Sequence, residues 1–168
     1  MRAYTGRVFL AVLVAAASVS AAADDDHEGS GRPRCRNVRG DLVEDFSTVG
    51  CEPPSTACFL GRVDANHGFE GTTRFDADSG AAGPPTSPGF VSYSGIFEYF
   101  TERGTIVTRE TGVVNNTRGN PESGAVTAFQ KITSATGALT GATGYFFVSG
   151  FNINNHVVTK VTGRICLP

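Results

Sequence analysis

The sequence predicts an all-β fold of about eight antiparallel strands, a closed barrel or a sandwich, that is held by disulfides. Glycine is abundant at 21 of 168 residues, threonine and valine recur, and no stretch shows the 3.6-residue period of an amphipathic helix. About eight strand-like segments follow one another with mostly short connections, a pattern typical of a closed barrel or a sandwich. The four cysteines, in a chain that begins like a secretory precursor, predict two disulfides.

Residues 1–23 have the pattern of a signal peptide. Arg2 and Arg7 give a positive start, residues 8–19 are uncharged and apolar, and small residues lead up to Ala23. The apolar run is shorter than the roughly 20 residues that a membrane-spanning helix needs, although an uncleaved anchor is the alternative. We therefore expect a secreted protein, extracellular or periplasmic, whose mature chain begins at Asp24 and has no membrane span.

The mature chain divides into two parts. Residues 24–36 are polar and acidic and are expected to form a disordered lead-in, whereas residues 37–168 are expected to form a single β-barrel domain. Removal of the signal peptide takes away two arginines and no acid, which changes the net charge from −2 to about −4. This balance excludes a basic nucleic-acid-binding surface. His27 and the aspartates before it form an alternative metal site, but we expect a solvated terminus, no metal and no cofactor.

The four cysteines allow three disulfide pairings. We favour Cys51 with Cys58, which closes a short loop, and Cys35 with Cys166, which joins the two ends of the domain. A zinc site is the alternative, but the spacing matches none of the usual zinc patterns.

The strands are assigned in order from alternation and turn residues. They are expected at residues 38–46, 58–63, 68–77, 90–102, 105–114, 125–134, 145–151 and 156–166. Alternation in the sixth strand places Val126, Ala128 and Ile132 on one face. The connections are a tight turn at 65–68, a Pro/Gly loop at 79–89, a hairpin turn at 103–104, a polar loop at 115–124 and a final hairpin turn at 152–155.

Residues 135–144 repeat the tripeptide Ala-Thr-Gly. The glycines favour a turn between strands, with Leu139 directed inward. A phosphate-binding loop is the alternative, but the residues that follow are strand-like and the lysine of a P-loop is missing.

The run from Gly137 to Phe146 resembles the glycine-rich hairpin of the allene oxide cyclase and dirigent barrel superfamily. Residues 104–114 are similar to the strand that precedes this hairpin there, and residues 161–166 look like the last strand of exported bacterial members. The resemblance covers residues 57–168. It implies an eight-stranded calycin-like barrel with a mostly apolar cavity. Some members cyclise reactive small molecules, dirigent proteins steer radical coupling, and several members are oligomers, so a homo-oligomer is expected.

The candidate catalytic residues are Glu98, Glu110 and Tyr99, and the candidate ligand-binding residues are Tyr93 and Arg109. With a hairpin centred on Gly104, the two glutamates are near cross-strand neighbours. A carboxyl group that points into an apolar cavity has a raised pKa and can serve as an acid or a base. The alternatives are outward charges on the barrel wall, an ion pair with Arg109, and tyrosines that only pack.

The signal-peptide pattern and the resemblance together imply a secreted barrel that binds a small apolar or aromatic molecule in its interior. One alternative is a cyclase, an isomerase or a dirigent-like coupling protein. The other is a structural or interaction protein whose barrel is filled by side chains, with an exposed apolar patch around Phe146, Phe147 and Phe151.

Overall fold

The computed structural model describes residues 33–117 and 120–168. It is a closed barrel of eight antiparallel strands, in which each strand pairs with the next and the last pairs with the first. The strands are β1 (Arg34–Ser47), β2 (Ala57–Ala65), β3 (Phe69–Ala82), β4 (Phe90–Thr101), β5 (Gly104–Thr117), β6 (Asn120–Ala135), β7 (Thr143–Ile153) and β8 (His156–Leu167). The predicted all-β barrel class is confirmed. In the described ranges, no helix has the length and hydropathy needed to cross a membrane.

Strict alternation along the strands separates the barrel interior from the outer wall. On β6, the side chains of Val126, Ala128 and Ile132 are buried, as predicted, and so is Gln130, while Thr127, Phe129 and Lys131 are exposed. On β4, Phe97 and Tyr99 are buried for the same reason. The inward apolar positions on neighbouring strands form one continuous core.

Several strands are longer than the sequence indicated. β1 begins at Arg34, so part of the expected lead-in belongs to the barrel; the rest of that segment up to residue 32 and the expected signal peptide lie outside the described residues. β3 continues to Ala82 and pairs with Val91, and β5 and β6 occupy most of the expected loop at 115–124. Polar and glycine residues are accepted there because the ladder pairs their backbone groups.

Both predicted disulfides are present. Cys35 and Cys166 face each other on β1 and β8, so their bond crosses the seam where the barrel closes. Cys51 and Cys58 close the short connection between β1 and β2.

One end of the barrel is filled by aromatic side chains, and we call it the filled end. The contacting rings of Phe69, Phe97, Tyr99 and Phe146 lie with centroids 4.7–5.4 Å apart, in stacked, tilted and edge-on contacts that stabilise such clusters. Leu139, in a single helical turn over Gly137–Leu139, is buried in the same core. The predicted turn with an inward leucine is thereby confirmed.

Candidate ligand-binding cavity

The opposite end of the barrel, which we call the open end, contains a cavity of about 260 Å³. It lies where β1, β3, β5 and β7 finish and β2, β4, β6 and β8 begin. Most inward side chains here are alanine, valine, threonine or other small to medium residues, with Phe59, Phe75 and Tyr93 among them, and they leave space between the walls. The aliphatic part of the wall is formed by Ala57, Ala77, Val91, Val114, Val126, Val148 and Val157.

The volume of the cavity limits the size of any occupant. An apolar cavity of about 150 Å³ holds one benzene ring, and pockets for larger organic ligands begin near 300 Å³. At about 260 Å³, this cavity matches a molecule of one or two rings.

Two buried glutamates line the cavity. Glu44 on β1 is 6% exposed and Glu110 on β5 is 4% exposed. In the closed order of eight strands, β1 and β5 are four strands apart in either direction. The two carboxyl groups therefore enter the cavity from opposite walls.

Glycines on neighbouring strands make room for the polar side chains of the cavity. Gly61 pairs with Glu44, and a Cβ atom on Gly61 would lie 2.7 Å from Cγ of Glu44. Gly112 pairs with Tyr93, and a Cβ atom there would lie 2.5 Å from the tyrosine Oη. Ordinary contacts of a Cβ atom are longer than these distances. A residue larger than glycine at either position would therefore displace the side chain of Glu44 or Tyr93.

Glu110 ends a chain of hydrogen bonds that runs into the core. Tyr99 Oη donates to Gln130 Oε1 over 2.5 Å, and Gln130 Nε2 donates to Glu110 Oε2 over 2.5 Å. Tyr93 also lies beside this carboxyl group and favours its ionised form. This chain holds the carboxyl group in place and satisfies the buried amide of Gln130. Sequence analysis missed Gln130, although a polar residue at an inward position of an alternating strand is a recognisable signal.

Burial changes the ionisation of these groups. Desolvation raises the pKa of Glu110 to about 7, against the opposing effect of the hydrogen bonds from Gln130 and Tyr93. Desolvation, together with the nearby charge of Glu110, also raises the pKa of Glu44 well above its ordinary value. The pKa values of Tyr93 and Tyr99 are raised by burial and by the two glutamates, so both hydroxyls stay protonated as donors.

Glu44 differs from Glu110 in its hydrogen bonding. Among the described side chains, Oε1 of Glu44 is buried without a hydrogen-bond partner, and so is Oδ1 of Asn152, which also lines the cavity. Buried polar atoms are usually paired. The cavity therefore presents two acceptors that no described protein donor reaches. Neither residue was singled out from the sequence.

Three of the predicted site residues face the interior. Tyr93 and Glu110 line the cavity, and Tyr99 lies in the aromatic cluster and reaches Glu110 through Gln130. Glu98 and Arg109 instead lie on the outer wall, where Glu98 pairs with Arg74 at 2.5 Å and Arg109 pairs with Asp78.

The predicted neighbour relation between Glu98 and Glu110 is wrong. The hairpin pairs Thr101 with Gly104, so Glu98 faces Val107 and Glu110 faces Gly95. With a two-residue turn, an even-numbered residue on β4 faces an odd-numbered one on β5. The two glutamates are consequently on opposite sides of the barrel wall, and only Glu98 is the outward charge that the alternative described.

The expected apolar patch is present only in part. Phe146 is fully buried in the filled end, whereas Phe147 and Phe151 are exposed on the outer wall of β7. Phe129 and Tyr145 are stacked beside Phe147 on that wall. Phe146 was misplaced because it follows Tyr145 in an aromatic run, and adjacent strand residues point to opposite faces.

No group of three or more histidine, cysteine, aspartate or glutamate side chains comes together as a metal site in the described parts of the chain. No known protein family matches the chain. A search of curated proteins finds no match either.

Proposed function

We propose that this protein is a secreted barrel that binds a small apolar or aromatic molecule of one or two rings in the cavity of its open end. The observation that carries the proposal is the cavity of about 260 Å³, with a mostly aliphatic wall and the polar groups of Glu44, Glu110 and Tyr93 at one place. Such a combination is typical of small-molecule sites. The resemblance to allene oxide cyclase and dirigent barrels supports the same proposal. The two disulfides support export, because disulfides persist in oxidising compartments.

The first test looks for a molecule that is retained during purification. The protein is purified from an oxidising compartment, and its native mass is compared with its denatured mass. We expect an excess of mass that is lost on denaturation, on a chain that begins at Asp24 and contains two disulfides. The excess identifies the ligand. A bare chain mass shows that no ligand is tightly retained, and a titration then decides the question.

The titration uses 2-naphthol, a two-ring fluorescent probe, and a matched pair of variants. Val114 lines the cavity, whereas its neighbour Val113 is 37% exposed on the outer wall. We expect Val114→Phe to fill the cavity and weaken 2-naphthol binding by at least about tenfold, which is about 1.4 kcal/mol. Val113→Phe adds the same ring outside and should leave the affinity unchanged. Equal binding by both variants would contradict a site in the cavity.

A second candidate function is acid–base catalysis, as in a cyclase or an isomerase. It is favoured by the pKa of about 7 at Glu110, because a group that is half ionised near neutral pH can both take up and deliver a proton. Tyr93 beside it would supply a further hydrogen bond to a reacting oxygen. The test is conversion of the molecule recovered from the barrel. Glu110→Gln should then stop conversion while binding persists, and a ligand released unchanged by the wild type would favour simple binding.

A further inference from the structure

We infer that the ligand of this cavity is a small apolar amine, whose ammonium group lies between Glu44 and Glu110 while its ring occupies the aliphatic part of the cavity. The inference rests on the proposed function and adds the chemical class of the ligand. It is argued from the positions of the charged groups, from the hydrogen bonds already made and from the atoms left without a partner.

The charged groups of the cavity have one sign. Glu44 and Glu110 are acidic, and none of the described residues that line the cavity is lysine, arginine or histidine. Tyr93, which lies beside Glu110, and Tyr99, which reaches it through Gln130, are neutral donors. A ligand carboxylate would thus enter a cavity with no cation to pair it, which is costly in a buried site. A ligand ammonium finds an anionic partner on either wall.

The two threonine hydroxyls of the cavity are already used by the protein. Thr56 Oγ1 donates to the backbone oxygen of Ala77, and Thr159 Oγ1 donates to the backbone oxygen of Leu42. The unpaired atoms are instead acceptors, namely Oε1 of Glu44 and Oδ1 of Asn152. A primary ammonium group has three donors and no acceptor. Its hydrogen-bonding capacity therefore complements what the cavity lacks.

Charge distinguishes an amine from a neutral donor such as an alcohol. An alcohol satisfies one acceptor, but it leaves the repulsion between the two carboxyl groups unchanged. An ammonium group between opposite walls attracts both. Because the pKa of Glu110 is about 7 and that of Glu44 is raised by burial and by Glu110, pairing with a cation favours the ionised carboxyl and releases protons. Amine affinity should consequently rise between pH 6 and pH 8, as Glu110 ionises.

The experiment compares three two-ring probes on the disulfide-bonded mature protein by calorimetric titration. The probes are 2-naphthylmethylamine, 2-naphthylmethanol and 2-naphthoate. At pH 8 we expect the amine to bind at least about tenfold more tightly than the alcohol and the carboxylate not to bind. Amine binding should release protons, seen as a dependence of the measured heat on the ionisation enthalpy of the buffer.

Glu44→Gln tests the carboxyl group directly. It should lower amine affinity by about tenfold and leave alcohol affinity unchanged, whereas Glu98→Gln on the outer wall should change neither. Glu110→Gln provides a second variant if Glu44→Gln fails to fold. Equal affinity for amine and alcohol, or unchanged amine selectivity in both variants, overturns the inference and leaves the proposed function standing. Failure of all three probes to bind the wild-type protein overturns the proposed function itself.

Discussion

At the scale of single residues, the unusual feature is a pair of carboxyl groups inside a barrel whose other inward positions are mostly apolar. Glu110 is held by Gln130 and Tyr93, while Glu44 has one oxygen without a partner. Burying carboxyl groups reduces stability unless they are protonated or paired. Proteins commonly keep such destabilising groups only where function uses them.

The raised pKa of Glu110 predicts how stability depends on pH. A carboxyl whose pKa rises from 4.5 in the unfolded chain to about 7 on folding binds more protons when folded, so stability is greatest below pH 4.5 and falls as the pH rises to 7. From pH 5 to pH 8 this one group should reduce the free energy of unfolding by about 2–3 kcal/mol. Glu44 acts in the same direction.

The measurement is urea unfolding at pH 5 and pH 8. Glu110→Gln keeps an acceptor for Gln130 but does not ionise, so its loss of stability over this range should be smaller than that of the wild type by about the same 2–3 kcal/mol. Glu98→Gln, on the outer wall, should follow the wild type. A Glu110→Gln profile as steep as that of the wild type would show that Glu110 is not the group responsible.

Whether two residues on different strands lie on the same face of the sheet was predictable only where the pairing register was known. Alternation was sufficient within β6 and within β4, because it depends on one strand alone. The relation of Glu98 to Glu110 depended on the position of the hairpin turn, and centring it on Gly104 placed the two glutamates on one face. The turn lies at Glu102 and Arg103 instead. A shift of one residue in a hairpin reverses every facing assignment across it.

At the scale of elements, the order of the strands and the turns with glycine or asparagine were predictable from the sequence, but the strand ends were not. β3, β5 and β6 extend through residues that look like loops, since polar and small residues are tolerated where both neighbouring strands supply backbone partners. Sequence propensity describes a residue alone, whereas ladder formation in a closed barrel depends on strands distant in the chain.

The seam between β1 and β8 makes a prediction about the two disulfides. In the chain-entropy account, a cross-link stabilises by restricting the unfolded chain, and its effect grows with the length of the loop it closes. The separation of 131 residues between Cys35 and Cys166 corresponds to about 5 kcal/mol, and the separation of 7 between Cys51 and Cys58 to about 2 kcal/mol.

Two double variants test this order. Cys35→Ala with Cys166→Ala should lower the free energy of unfolding in guanidinium chloride more than Cys51→Ala with Cys58→Ala does. The second pair is the matched control, because it also removes one bond and two sulfur atoms. If loss of the Cys51–Cys58 bond lowered the free energy of unfolding by as much, that bond would stabilise the protein mainly through the native structure around the cavity, and not by restricting the unfolded chain.

At the scale of the whole molecule, the barrel is divided along its axis into a packed half and a hollow half. The barrel and its disulfides were predictable because they follow from alternation and from cysteine count. The division into a packed half and a hollow half was not predictable, because it depends on which inward residues of different strands lie at the same height along the barrel axis. Phe69, Phe97, Tyr99 and Phe146 come from β3, β4 and β7 and meet at one end, while alanines and valines from the same strands and their neighbours meet at the opposite end.

This division predicts a gradient of local stability along a single strand. β4 runs from the open end to the filled end, so residues 90–94 border the cavity while residues 97–101 pack in the aromatic cluster. Local opening is easier where fewer apolar contacts must be broken. In hydrogen exchange measured by mass spectrometry, amides of residues 90–94 should therefore exchange faster than those of 97–101, although all of them lie in the same ladder.

Addition of 2-naphthol should slow exchange in residues 90–94 and leave exchange in residues 97–101 unchanged, because only the cavity gains contacts. Uniform exchange along β4, or protection spread equally over both groups, would mean that the barrel opens as one unit and that the cavity is no weaker than the core. The observed gradient would instead identify the hollow half as the part of the fold in which stability is reduced to leave room for a ligand.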